Sequence, residues 1–184
     1  MCGDANEGKL KIADADFLGD HASTWIARQA HEFSVLNVHA REIRAPAARI
    51  FPELGDQKLL APNWYYRVLF AVRAAAGGIF GWDRGLAWHG SEPLEVGKHF
   101  AFFLIEYVDA PRELSMSVNN RLTGALMGWV LEESAGTTKV VNATCANFPG
   151  WRGRLYWRVI QPFHDALIED SLKALSRRMQ RPAE

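Results

Sequence analysis

Apolar positions along the chain follow one period, then another, then the first again. In HASTWIARQA the spacing predicts a short helix, with Ser23 or Thr24 as its N-cap. EFSVLNVHAREI reads as a strand, because Phe33, Val35 and Asn37 alternate with Ser34, Leu36 and Val38. RAPAARIFPEL predicts a short helix with Pro46 in its first turn. It should stop before Pro52, since the residue preceding a proline disfavours the α conformation. APNWYYRVLFAVRAAAGGIFGW predicts a stronger helix, in which Trp64, Val68, Val72, Ala75 and Ile79 form an apolar stripe. Arg67 and Arg73 leave that stripe and are expected to face water, and Gly81 is a plausible stop.

From about residue 86 the period becomes two. FAFFLIEYVDAPRELSMSVNN predicts two strands joined at Asp109–Ala110–Pro111. In the second, Leu114, Met116 and Val118 alternate with Glu113, Ser115 and Ser117, as in a strand buried on one face. RLTGALMGWVLEE and TTKVVNATCANF make the next pair, turning at Ser134–Ala135–Gly136. Gly124 and Gly128 within the first of these suggest bending or a bulge. Helical spacing then returns for roughly 25 to 30 residues from about Gly153. Tyr156, Ile160, Phe163, Leu167, Ser171 and Ala174 share one broad face, opposite Arg158, Asp165, Glu169 and Ser176. Pro162 should kink this helix or end its first segment.

Strand, two helices, meandering antiparallel strands and one long terminal helix imply an α+β domain, with that helix on one face of a curved sheet. The 184 residues suit one domain, taken as residues 31–180, with residues 1–30 an N-terminal extension ordered only where it packs on the body. A composition 48% hydrophobic and 11% aromatic can bury a proper core.

The order of elements resembles the helix-grip fold of the START and Bet v 1-like superfamily, which includes lipid-transfer domains and polyketide cyclases. More narrowly, WYYRVLFAVRAAAGGIFG, the strand pair ending in VVNATCANFPG and above all GRLYWRVIQPFHDALIEDSLKAL resemble domain-of-unknown-function family 2867. The resemblance spans roughly residues 30 to 180 and implies a fold with a cavity between sheet and terminal helix, without assigning a reaction.

Charge and chemistry narrow this further. Lys plus Arg and Asp plus Glu number 21 each, so the balance gives no electrostatic reason to expect nucleic acid or an anionic membrane. Arg121, Arg152, Arg154 and Arg158 read as a solvated scatter. No apolar run approaches the roughly 18 residues of a spanning helix, so membrane insertion is not expected. Two cysteines, Cys2 and Cys145, show no metal or disulfide spacing, and the opening residues lack a secretory pattern; a cytoplasmic setting and no cofactor are the expectations.

His164, within YWRVIQPFHDAL, has three readings: general acid or base, ligand contact, or a structural histidine bonded to a carbonyl freed by Pro162. Asp165, its neighbour in sequence, should point elsewhere. Tyr156 pairs an apolar body with a polar tip at the expected cavity mouth, whereas Trp157 is equally suited to plain packing. Phe103, Tyr107, Met116, Met127 and Trp129 are candidates for the concave face of the sheet, and Ile160 and Phe163 for the facing helix. Asn142 and Thr144 share a face of the last strand and could orient a ligand's polar end. Val141, Ala143 and Cys145 make an equally apolar opposite face, so which side turns inward stays open. His31, His39, His89 and His99 show no metal spacing, and Asp83 and Glu106 form no dyad.

The expected partner is a small apolar or amphipathic molecule, bound by a monomer or homodimer. A cyclase- or aromatase-like enzyme and an interaction module with a self-filled core are the alternatives.

Overall fold

In the computed structural model, which describes residues 9–10, 14–81, 93–121, 123–148 and 150–180, one antiparallel sheet carries helices on both faces. Its strands are β1 (Lys9–Leu10), β2 (Val35–Ile43), β3 (His99–Phe100), β4 (Phe103–Asp109), β5 (Glu113–Asn119), β6 (Gly124–Ser134) and β7 (Thr137–Asn147). They lie in the order β1-β2-β7-β6-β5-β4-β3, so the first long strand closes against the last. The helices are α1 (Asp14–Asp20), α2 (Trp25–Gln29), α3 (Ala47–Ile50), α4 (Trp64–Phe80) and α5 (Gly150–Gln180). The result is the helix-grip arrangement, a curved sheet around a long C-terminal helix.

Side-chain alternation divides the sheet into two cores. Met127, Trp129, Leu131 and Val140 join Ile168, Leu172, Leu175 and Met179 of α5 on the concave side, together with Ile50 of α3. Leu126, Val130, Val141, Ala143 and Cys145 point the other way, against Phe17 of α1 and Ile26 of α2. The face of β7 left open by its sequence is thereby fixed: Thr144 faces inward and Cys145 outward.

The outer helices alter two expectations. β5 is buried on both faces at its start, since Glu113 and Ser115 lie beneath α2 as Leu114 and Met116 lie in the concave core. Gly128 marks no bulge, because the β5–β6 and β6–β7 ladders run through it without a shift. A Cβ there would run into Ile26 and come within 2.9 Å of the Ser115 hydroxyl oxygen. The glycine is the seat of α2 on the sheet.

A register shift does occur, in β4 between Ile105 and Tyr107. One extra residue inverts the alternation. Ile105 enters the concave core, whereas Tyr107 emerges on the outer face and stacks on Trp25 of α2, ring centroids 5.6 Å apart. The hairpin between β6 and β7 turns on Ala135 and Gly136, both with positive φ (49° and 77°), the conformation that matches strand twist in a two-residue turn.

The expected helix after β2 ends its α portion at Ile50, but the chain continues as a 3-10 turn, Phe51–Gly55, that includes Pro52. Proline is compatible with this first-turn geometry. α5 passes through Pro162 without interruption, so the proline does not end a segment. α4 departs most from expectation. An apolar stripe of its kind ordinarily turns to the core. Here Trp64, Val68, Val72 and Ile79 are exposed, and among residues 64–79 Tyr66 and Gly77 are the buried ones.

Candidate functional site

The concave core is not filled throughout. A partly open cavity of about 650 Å³ lies between the sheet, α4 and α5. β6 and β7 supply its floor through Met127, Trp129, Thr144 and Ala146, all buried. α5 supplies Tyr156, Trp157, Ile160, His164 and Leu167 at the i, i+3, i+4 spacing of one helix face. α4 supplies Phe70, Ala71, Ala74 and Gly78. Ala71, Ala74 and Gly78 are exposed as well as lining, which puts the opening beside α4. Small residues on the inner side of α4 leave room that larger ones would close.

Of the residues proposed from sequence, the fold brings Phe103, Met127, Trp129, Thr144, Tyr156, Ile160 and His164 together on this wall. Tyr107 is removed by the β4 bulge. Met116 is fully buried in the neighbouring packed core. Asn142 faces the concave side, but its amide is used within the sheet: Nδ2 donates to the Gly128 carbonyl at 3.3 Å, and Oδ1 accepts from the Thr144 hydroxyl at 3.4 Å. Phe163 sits outside the cavity, 52% exposed, because the gripping face of α5 runs along Ile160, His164 and Leu167. Trp157, given an equal claim to plain packing, is on the wall, stacked on Phe148 at 5.0 Å. Arg73, expected in water, is half-buried at the same wall.

Beside the cavity is a polar cluster whose composition differs from expectation. Asp165 does not point away; its Oδ1 lies 3.8 Å from His164 Nδ1 and 3.3 Å from His39 Nε2, and it accepts from Asn37 Nδ2 at 3.0 Å. Asn37 and His39 alternate on β2, which packs against α5, so the strand presents both to the helix. His164 Nδ1 is buried without a hydrogen-bond partner, so no backbone carbonyl serves that nitrogen. His39, His164 and Asp165 offer ligand atoms within 4.8 Å of one another, the donor set that could hold a divalent transition metal among the described residues. The sequence signal for this cluster was the polar pair at Asn37 and His39 in the otherwise apolar first half of the strand, residues 35–40. His89 and Asp83 lie outside the described residues.

The electrostatics follow from burial and proximity. His164 does most to hold the Asp165 carboxyl below the usual carboxylate range; burial opposes it, and Asn37 and His39 reinforce it. Burial pushes the His39 imidazole below its ordinary value, against the attraction of Asp165. As pH falls, the unfolded chain therefore protonates His39 first, and the seam loses stability from near the ordinary histidine value downward to the folded one. Asp165 adds stability that is present above its unfolded value and lost as pH falls through the depressed folded value. The melting temperature should therefore drop between about pH 7 and pH 5, and drop less in His39→Gln, which keeps a hydrogen bond to Asp165. Thermal melts across that range check this; parallel curves for the two proteins would remove His39 as the cause.

A second acidic residue of α5 anchors α4. Asp170 Oδ2 accepts from the Tyr65 hydroxyl at 2.7 Å and the Tyr66 hydroxyl at 3.0 Å, while Lys173 lies 3.3 Å from Oδ1. Burial would raise the Asp170 pKa, but the tyrosine and lysine contacts outweigh it and lower the value. α4 is thus tied to α5 at its first turn and borders the cavity farther along.

Comparison with solved structures supports the fold. A protein from Arthrobacter aurescens, determined by solution NMR, is similar with a TM-score of 0.55 at 11% identity, covering 82% of this chain and 89% of that one. A second NMR structure, from Thermobifida fusca, has a TM-score of 0.50 at 17% identity over 78% and 92% of the two chains. No curated protein matches the chain. The profile of the family described as "Protein of unknown function (DUF2867)" matches residues 20–171, which takes in the outer helix α2, the whole sheet after β1 and the cavity-lining part of α5; the chain belongs to that family.

Proposed function

We propose that this protein binds a small apolar or amphipathic molecule in the cavity between the sheet and α5. The observation that carries this reading is the cavity itself: about 650 Å³, walled mainly by apolar side chains and within the size range of small-molecule pockets. A few polar groups, among them Arg73, Thr144, His164 and the tip of Tyr156, interrupt the lining and would orient a ligand's polar end. Affinity would come from apolar burial, roughly 25 cal/mol per Å² before ordering costs. A void of this size counts against a self-filled core, which leaves no space above about 300 Å³.

The His164–Asp165–His39 cluster favours a second reading, an enzyme acting on a hydrophobic substrate. There His164 would exchange a proton with the bound molecule, and Asp165 would orient its ring.

Native mass spectrometry of the protein, combined with thermal shifts across a panel of fatty acids, isoprenoids and polycyclic aromatics, tests the first reading. A retained small mass, or a rise of several degrees with one class, is the expected result. No retained mass together with no shift from any class would overturn it.

A further inference from the structure

Among the described residues twelve large apolar side chains are exposed, and ten of them lie on α4 and the first half of α5. On α4 they include Trp64, Val68, Val72 and Ile79; on α5 they are Trp151, Leu155, Val159 and Phe163, each four residues after the last. The last three precede the cavity-lining Tyr156, Ile160 and His164 by one position, so this stripe runs beside the cavity, about 100° round the helix. Charge is segregated in the same place. Residues 64–80 and 150–164 contain five arginines (67, 73, 152, 154 and 158) and no Asp or Glu, although the whole chain is neutral. The Arg152 guanidinium lies 5.5 Å over the Trp151 ring.

We propose that the outward faces of α4 and the first half of α5 form a peripheral docking surface for an anionic lipid bilayer. Apolar stripes flanked by arginine, with tryptophan among them, are what an interfacial helix needs. The apolar side chains enter the acyl boundary, the ring systems sit at headgroup level, and guanidinium groups meet lipid phosphates. A second copy of the chain is a poorer occupant. An isologous dimer places the same patch on both sides, so arginines would face arginines with no carboxylate between them. The arrangement also puts the cavity opening beside α4, next to the docked surface. The proposal goes beyond the ligand reading and is tested separately from it, because docking is measured with no cavity ligand added.

The test is co-sedimentation with vesicles of phosphatidylcholine alone and of phosphatidylcholine containing phosphatidylglycerol. The protein should partition onto the anionic vesicles and be released by salt. Arg154→Glu with Arg158→Glu should weaken partitioning by at least about tenfold. Leu155→Ser with Val159→Ser should weaken it comparably, and Arg28→Glu on the outer face should not change it. All these side chains are exposed, and the two double variants are independent, so either one with an unchanged circular dichroism melt decides the matter. Ala146→Leu, which reduces the cavity, should dock as well as the parent. Absence of binding, equal binding to both vesicle types, or insensitivity to both double variants would overturn the proposal. So would a dimer in solution that Leu155→Ser with Val159→Ser makes monomeric, since the face would then belong to a second copy.

Discussion

Glu113→Ala should destabilise the protein by about 3 to 5 kcal/mol, an unusually large loss for one polar side chain. Glu113 is 4% exposed, and its two carboxylate oxygens accept from the backbone N–H groups of Trp25 at 2.9 Å and Ile26 at 2.8 Å. Those groups open α2, where no helical carbonyl is available to them. Thr24 already serves the N–H of Ala27 at 3.3 Å, so the cap and the glutamate together satisfy the start of the helix. Each hydrogen bond to a charged group contributes about 1.5 to 3 kcal/mol, and truncation strands two buried donors at once. Because the same helix places Ile26 over Gly128 and Trp25 over Tyr107, losing the cap loosens the whole outer layer. Glu113→Gln keeps one strong acceptor and should recover about half of the loss. Urea unfolding of the three proteins measures this directly. A loss below about 1 kcal/mol for Glu113→Ala would mean that the N–H groups find water instead.

Glu113 also marks the limit of what the sequence discloses. Alternation along β5 made one face polar and therefore, in isolation, a solvent face. A polar residue at such a position can equally serve a helix lying above it, and no local pattern distinguishes the two. The same limit explains Tyr107, whose face depends on a single-residue bulge, and Asp165, whose partners come from β2, more than a hundred residues earlier. What could be read locally was read well. The turn expected at Ser134–Ala135–Gly136, which centres on Ala135–Gly136, the strands of the β4–β5 and β6–β7 hairpins and the cap expected at Ser23 or Thr24, which is Thr24, each rest on neighbouring residues. The α4 stripe misled for a different reason. Its period was correct, but period reports that a helix has an apolar side, not what covers it. The inner side of α4 is built from Phe70, Ala71, Ala74 and Gly78, small enough on average to border a void. Much of the cavity wall was legible because seven of its residues lay on two recognisable surfaces, the concave strands and one face of α5.

Filling the cavity from its floor should separate binding from folding. Ala146 is buried, shares the inward face of β7 with Thr144, and lines the void. Unlike a residue on α4 or α5, it cannot swing a larger side chain out to solvent, because the sheet lies behind it and α5 in front. Ala146→Leu adds three carbons to the space a ligand would occupy. At about 0.8 kcal/mol per buried methylene, a ligand that used that space loses on the order of 2.4 kcal/mol, or roughly fiftyfold in affinity. The melting temperature should hold or rise, because new apolar contacts form where there was no packing. The sign of that thermal change discriminates between the possible interiors. In a core already filled by its own side chains, the same substitution would overpack and cost about 1 to 3 kcal/mol. Titration of whichever ligand class the thermal panel identifies, alongside melts of parent and variant, reads both quantities. A stable variant with weakened binding locates the ligand between β7 and α5, whereas a destabilised variant would show that the void does not exist in solution.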